Sequence, residues 1–301
     1  MSDIAELNAH YGIADAISFN QGGGGLTVVE ITHPRARARL ALQGAQVLEW
    51  TPQDEQPVLW LSPAAHFTAG KAIRGGIPIC WPWFGAHPCD AAFPAHGFAR
   101  TMPWIVERTG ANDEHVALRL RLMQGEQSEV FWPHACSLTL ELRIGRTLDL
   151  DLATHNIGAL PVTITEALHA YFNVADLSGV RVHGLHGCNY VDKTDGGRHK
   201  RQDGAITFDA ETDRIYVGAP GECQLEDPGF RRRIRIVKTG SGSTIVWNPG
   251  ANKASALSDM APDGYRRMVC VESGNADDDA RLILPGETHC LSVSYATERL
   301  G

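Results

Sequence analysis

Short runs of alternating or β-rich residues recur along the whole chain, at 26–31, 37–42, 45–50, 115–122, 137–144, 147–154, 233–238, 243–247, 268–272 and 290–296. The clearest is SLTLELRI, 137–144. It sets Leu138, Leu140, Leu142 and Ile144 on one face and Thr139, Glu141 and Arg143 on the other. A two-residue period of this kind predicts a half-buried strand. RIRIVK, 233–238, repeats the pattern with its cations outward. Helical periodicity is almost confined to residues 3–11, DIAELNAHY, which predict a short helix with Asp3 in the capping region. Strands do not alternate with helices, so the expected fold class is all-β: antiparallel, two packed sheets forming a large sandwich with few short helices. No linker, low-complexity tract or repeat interrupts the chain, and residues 1–301 read as a single domain.

Composition narrows the function more than the fold. Charged residues make up 21% of the chain and the net charge is −8, which argues against a nucleic-acid backbone as partner. A small anion gripped by a local cluster of cations is still allowed. The basic stretch Arg231–Arg235 reads as a solvated sheet face. Seven cysteines, an odd number with no C-x-x-C, point to reduced thiols and a cytoplasmic protein. No apolar run reaches the ~20 residues of a membrane span. Gly22–Gly25 is a turn and not a phosphate loop, because the strand-like LTVVEI follows it where a helix would be needed.

Four stretches carry more chemistry than strand building requires. TITEALHAYFNV, 163–174, places Glu166, His169 and Tyr171 among apolar neighbours, where polar groups are costly unless satisfied. GKAIRGGIPICWPWFG, 70–85, surrounds Lys71 and Arg74 with glycines and tryptophans, and Arg74 offers a fork suited to carboxylate or phosphate. AHGFAR, 95–100, joins His96 to a second fork, Arg100. In the stretch 259–276, Glu272 ends the apolar run Met268–Val271 and Ser-Gly-Asn follows it. Each stretch taken alone also fits an ordinary turn or a satisfied core residue. Cys80, His87, Cys89 and His96 match no zinc spacing, and the histidines of HGLHG, 183–187, read as surface residues, so no metal is expected. Asp277–Asp279 reads as a solvated acidic turn.

KAIRGGIPICWPWFG, AHGFAR, EALHAYFNV, ETDRIY, VWNPG and CVESGNA, in this order, resemble the hexose-6-phosphate mutarotases, a branch of the aldose 1-epimerase superfamily. The resemblance implies a galactose-mutarotase-like supersandwich that needs no cofactor. It implies His169 as general acid and Glu272 as general base. It places Arg74 and Arg100 on the sugar phosphate and Asp213 on the sugar. Lys71 joins the two arginines in a cationic patch for the phosphate, and His96 is expected at the substrate, either transferring a proton or binding a sugar hydroxyl. One position departs from the family: Ala95 stands where the family often has Gln, which bears on a substrate hydrogen bond and on sugar preference.

The chemistry implied is ring opening and reclosure of an aldohexose 6-phosphate. One group takes a proton from the C1 hydroxyl while the other gives one to the ring oxygen, and the roles exchange on closure. Ordinary pKa values of about 4.3 and 6.5 leave an anionic Glu272 and a cationic His169 between them. A nearby carboxylate is expected to raise the histidine towards neutral pH. Glu166 and Tyr171 are expected to orient His169. The alternatives are a free-aldose mutarotase acting on galactose or glucose, and a non-catalytic carbohydrate-binding module stacking sugars on Trp81 and Trp83. The expected partner is a small sugar phosphate, with no membrane and no nucleic acid, for a monomer or weak homo-oligomer.

Overall fold

The computed structural model describes residues 3–301, and antiparallel strands are its main regular structure. Every run predicted from alternation forms a strand, with ends shifted by a few residues. SLTLELRI lies in Cys136–Gly145 and HVALRLRL is the strand His115–Leu122. The helix Ile4–Tyr11 begins where Asp3 accepts a hydrogen bond from the Ala5 N–H. Two other helices, Glu126–Phe131 and Gly250–Ala256, are under two turns long.

Strands without a clear period escape a reading by alternation, among them Ile17–Gln21, Trp104–Ala111, Thr212–Val217 and Glu222–Asp227. Their sequences mix amides, charges and glycine with apolar residues, and pairing with a neighbour outweighs that weak local preference.

One eight-stranded sheet runs Arg181–His183, Glu222–Asp227, Arg232–Thr239, Thr288–Arg299, Leu148–Asn156, Cys136–Gly145, His115–Leu122 and Trp104–Ala111. The other runs Arg198–Arg201, Asn189–Asp192, Thr212–Val217, Ser243–Asn248, Met268–Asn275, Glu166–Leu168 and Ile79–Cys80; Tyr171–Asn173 also pairs with Met268–Asn275. A four-stranded sheet from residues 17–52 and a two-stranded one, Val162–Ile164 with Arg281–Ile283, complete the set.

The inner faces share one apolar core. Leu138, Leu140 and Leu142 of one large sheet join Phe172, Val246 and Val271 of the other. Phe172 meets Tyr295 edge-on, with ring centres 5.4 Å apart. In Met268–Asn275 every residue is buried, because alternate side chains face the core and a cavity on the other side. The two-residue period then sorts chemistry from packing: Val269 and Val271 go to the core, and Glu272 goes to the cavity.

Two expectations about charges need correction. In RIRIVK only part of the cations face out. Lys238 continues the inward row of Ile234 and Ile236 and is buried, donating to Ser241 Oγ and to the Ser243 carbonyl. Arg232 is also buried, and its guanidinium donates to the carbonyls of Gln56, Pro57 and Asn173, whereas Arg233 and Arg235 pair with Glu226 and Glu222 across the sheet. The turn Asp277–Asp279 is not simply solvated. Asp279 accepts from Gly242 N–H, Ser243 and Asn275 and pairs with Arg281, while Asp277 reaches the cavity wall.

Candidate active site

The strand Met268–Asn275 organises the site because two separate segments pair along its one edge. Leu168 lies opposite Ser273 and Tyr171 opposite Cys270. One antiparallel register runs through both pairings, so His169 falls opposite Glu272. The ladder is interrupted at that point: the His169 N–H donates to the Pro78 carbonyl and the Ala170 N–H to that of Leu168. The imidazole is left free to turn into the cavity, where Nδ1 stands 3.3 Å from Glu272 Oε1. On the other edge, Ile245 pairs with Glu272 and Trp247 with Cys270, and Asp213 pairs with Trp247. This row carries Asp213, Trp247, Glu272 and His169 to one face.

That face floors a cavity of about 640 Å³, within the ordinary range for small-ligand sites. Arg74, His96, Arg100, His169, Asp213 and Glu272 all line it, so six of the seven residues singled out in the sequence meet. Lys71 does not. It is exposed, its carbonyl accepts from Gln43, and it lies outside the cavity wall. Lys193 and Lys253 supply ammonium groups to the wall instead. Lys253 pairs with Glu211 at 2.8 Å, while Lys193 has no carboxylate partner among the described residues. Neither stands out in the sequence, since both lie outside the chemistry-rich stretches and reach the cavity only through sheet order.

Arg74 is already engaged. Its Nε and Nη2 both lie 3.1 Å from Asp259 Oδ2, and its Nη1 donates to the Tyr171 hydroxyl at 3.1 Å. Arg100 spends one donor on the Ala95 carbonyl at 2.8 Å and has no carboxylate partner among the described residues. Of the two forks, Arg100 is therefore the one with charge to spare.

Tyr171 stacks almost parallel on His169, with ring centres 4.8 Å apart and planes 8° from one another. It holds the imidazole as expected. Glu166 does not. Its carboxylate is wholly buried with Oε1 3.2 Å from His289 Nε2, since it sits on the far side of the break, opposite Asn275. Burial raises its pKa and His289 opposes the rise.

His96 has a left-handed backbone, φ 62°, and its Nδ1 accepts from the Gly85 N–H at 3.3 Å. Its ring centre lies 5.8 Å from that of His169. Burial, then the charges of Arg100 and Arg74, push its pKa down to about 3, so it meets a ligand as a neutral hydrogen-bonding group. The next residue, Gly97, has φ 70°, and a Cβ there would lie 1.9 Å from the Trp81 carbonyl oxygen. Gly97→Ala is expected to destabilise the fold by more than the ~1–2 kcal/mol that left-handed backbone alone costs an L-residue. Urea denaturation measures this, and an unchanged midpoint would show that the loop can relax.

The electrostatics of the pair run against one expectation. The carboxylate neighbour does not raise His169; instead burial, followed by the charges of His96, Arg100 and Arg74, holds it well below its ordinary value. Glu272 is held well above its own, first by burial and then by the Asp213 carboxylate, with Arg100 opposing. Asp213 is itself raised by burial, against Lys253 and Lys193. Both directions favour a pair that holds one proton, on the carboxyl rather than on the imidazole. A carboxyl and an imidazole sharing one proton can donate at one point of a ligand and accept at another.

Trp81 and Trp83 offer no sugar platform. Both are buried, Trp81 donating to Thr154 Oγ1 and Trp83 to the Pro94 carbonyl, and Trp247 is the tryptophan that faces the cavity. Among the described residues, Cys80, His87, Cys89 and His96 do not gather, and the group with metal-ligand spacing is His169, Cys270 and Glu272. His183 and His186 face Glu226 and Asp203 at 3.6 Å near the surface. No helix among the described residues is long and apolar enough to cross a membrane.

Known proteins resemble this chain in sequence and in fold. The sequence pattern of the aldose 1-epimerase family matches residues 27–296. A protein of Escherichia coli K12 named "Putative glucose-6-phosphate 1-epimerase" is 39% identical over 266 residues, 88% of each chain. One of the same name from the grass Cenchrus ciliaris is 35% identical, over 83% of this chain and 78% of its own. The crystal structure of a "putative mutarotase" from Salmonella typhimurium superposes with a TM-score of 0.90 at 33% identity, covering 98% of this chain and 99% of that one. The match over nearly the full length, in sequence and in fold, places this chain in the aldose 1-epimerase family.

Proposed function

We propose that this enzyme interconverts the α and β anomers of an aldohexose 6-phosphate, glucose 6-phosphate foremost. The observation that carries the chemistry is the His169–Glu272 pair, 3.3 Å apart on the floor of a sugar-sized cavity. With the shared proton on the imidazole, Glu272 takes the proton of the C1 hydroxyl as His169 gives one to the ring oxygen, and the C1–O5 bond breaks to leave the open aldehyde. Rotation about C1–C2 presents the other face, and closure returns both protons by the reverse transfers. Because each group serves as acid in one direction and base in the other, a single proton shared by the pair is enough. Asp213 and His96 hold sugar hydroxyls, and Tyr171 positions the imidazole.

The preference for a phosphorylated sugar rests on Arg100, whose guanidinium has no internal carboxylate among the described residues, with Arg74 and Lys193 also on the cavity wall. The names of the Escherichia coli and Cenchrus ciliaris relatives point to the same substrate. The seven cysteines, none of them in a disulfide, fit a cytoplasmic enzyme.

Saturation-transfer NMR on glucose and glucose 6-phosphate tests this, and faster catalysed exchange of the phosphate is expected. A charged hydrogen bond is worth about 1.5–3 kcal/mol, so Arg100→Ala is expected to raise KM for the sugar phosphate by roughly 10–100-fold. Exchange of the free sugar should change far less. Equal loss on both sugars would make Arg100 a structural residue and favour a free-aldose enzyme.

A further inference from the structure

The proposed chemistry leaves one buried group beside the His169–Glu272 pair unused. Cys270 precedes Glu272 by two residues and so shares its face of the strand, between Trp247 and Tyr171 in the adjoining segments. It forms no disulfide. As packing, the thiol is a small filler in the cluster of Trp60, Tyr171, Ala254, Met260 and Met268. A ligand atom of Cys270, one of His169 and one of Glu272 nevertheless all lie within 4.8 Å of one another.

Two further observations point to a ligand. Glu272 Oε2 is buried without a hydrogen-bond partner in the protein, and His169 Nδ1 has only its 3.3 Å contact with Glu272 Oε1, in residues that are 1% and 7% exposed. The 3.3 Å between Nδ1 and Oε1 is also the nitrogen–oxygen edge of a tetrahedron whose metal–ligand bonds are ~2.0–2.1 Å. The sulfur edges of such a tetrahedron are about 3.5 Å, so the thiol has to swing inward to complete three ligands.

We propose that His169, Cys270 and Glu272 form a thiol-containing site for a soft divalent cation, zinc above all, whose binding reversibly shuts the enzyme off. Thiolate and imidazole select zinc over magnesium or calcium, which prefer all-oxygen sites. Thiolate and carboxylate together balance the ion's two charges, while Arg74 and Arg100 nearby keep the site weaker than a structural zinc centre. Binding expels the thiol proton and the proton shared by His169 and Glu272, so it tightens as pH rises. With the metal on both groups, neither can accept or donate a proton.

The shut-off rests on the function proposed above; the metal site does not, and the two are tested apart. Cobalt(II) added to the chelator-treated protein reports the site directly, through a thiolate-to-cobalt absorption band. The band is expected in the wild type and in the variant lacking the exposed Cys89 and Cys290 (both replaced by Ser), and is expected to vanish in Cys270→Ala. Zinc is expected to stop anomer exchange in the wild type and magnesium to leave it alone. Cys270→Ala, and Cys270→Ser if the first variant folds poorly, should retain exchange and require at least about tenfold more zinc for inhibition. No cobalt band in the wild type, a band that survives loss of Cys270, or equal inhibition by zinc of the wild type and the Cys270 variants would each overturn the site. A cobalt band of the expected kind in a chain with no exchange activity on any hexose would uphold the site and overturn the function.

Discussion

Replacing Glu272 with Gln is expected to cut catalysed anomer exchange by about 10²–10⁴-fold, the usual worth of a positioned acid or base. The amide keeps the shape of the carboxyl but cannot take the C1 proton. The same variant carries a stability signature. Burial and Asp213 raise the Glu272 pKa in the folded chain, so between the ordinary carboxyl value and the raised one the folded state binds more protons than the unfolded state. Stability from this group is therefore complete below the ordinary value and is lost as pH rises towards the folded one. The amide of the Glu272→Gln variant does not titrate. That variant should match the wild type in thermal midpoint at pH values below the ordinary carboxyl range and gain on it steadily as pH rises. A variant that loses stability relative to the wild type on going to higher pH would show that the carboxylate is favourably held in the fold, contrary to its surroundings.

Replacing His169 with Gln is expected to cost a similar factor in exchange, and the double variant with Glu272→Gln little more, because two groups that pass one proton act as a unit. The wild-type pH profile separates this pair from independent groups. With His169 lowered and Glu272 raised by their surroundings, the two protons leave as steps of the pair and not at the two ordinary values. The limbs of the kcat/KM profile are then expected to lie away from those ordinary values. His169→Gln should abolish the acid limb and leave the alkaline one. A narrow bell confined between the ordinary values would mean that the two groups titrate separately. Protein stability offers a second check of sign. The depressed His169 costs the folded state stability as pH falls below its ordinary value, because the unfolded chain then takes up the proton more readily. His169→Gln removes that cost and should resist acid better than the wild type.

Much of this site is written in short motifs, and the residues that sequence misplaces share a cause. Arg74, His96 and Arg100 lie in glycine-rich stretches whose composition departs from strand building, which is why they stand out. Lys71 stands out for the same reason but is exposed and does not line the cavity. Glu166 lies three residues from His169, yet the interrupted ladder sends its carboxylate to His289. Asp259 has no local signal that it would occupy the fork of Arg74, 185 positions away. Burial decides the direction of the pKa shifts of His169 and Glu272, and burial is not a property of neighbours in sequence.

Alternation of apolar and polar residues determined on its own that the chain is an antiparallel β protein, because a pleated strand must put successive side chains on opposite faces. The motifs determined the residue types of the site. Only the tertiary structure decided which of them meet. One register, carried from Leu168–Ser273 to Tyr171–Cys270 across a break in the ladder, sets an imidazole opposite a carboxyl. Closing that pairing in a buried place withdraws both groups from water, and this, more than their identity, makes them share a proton.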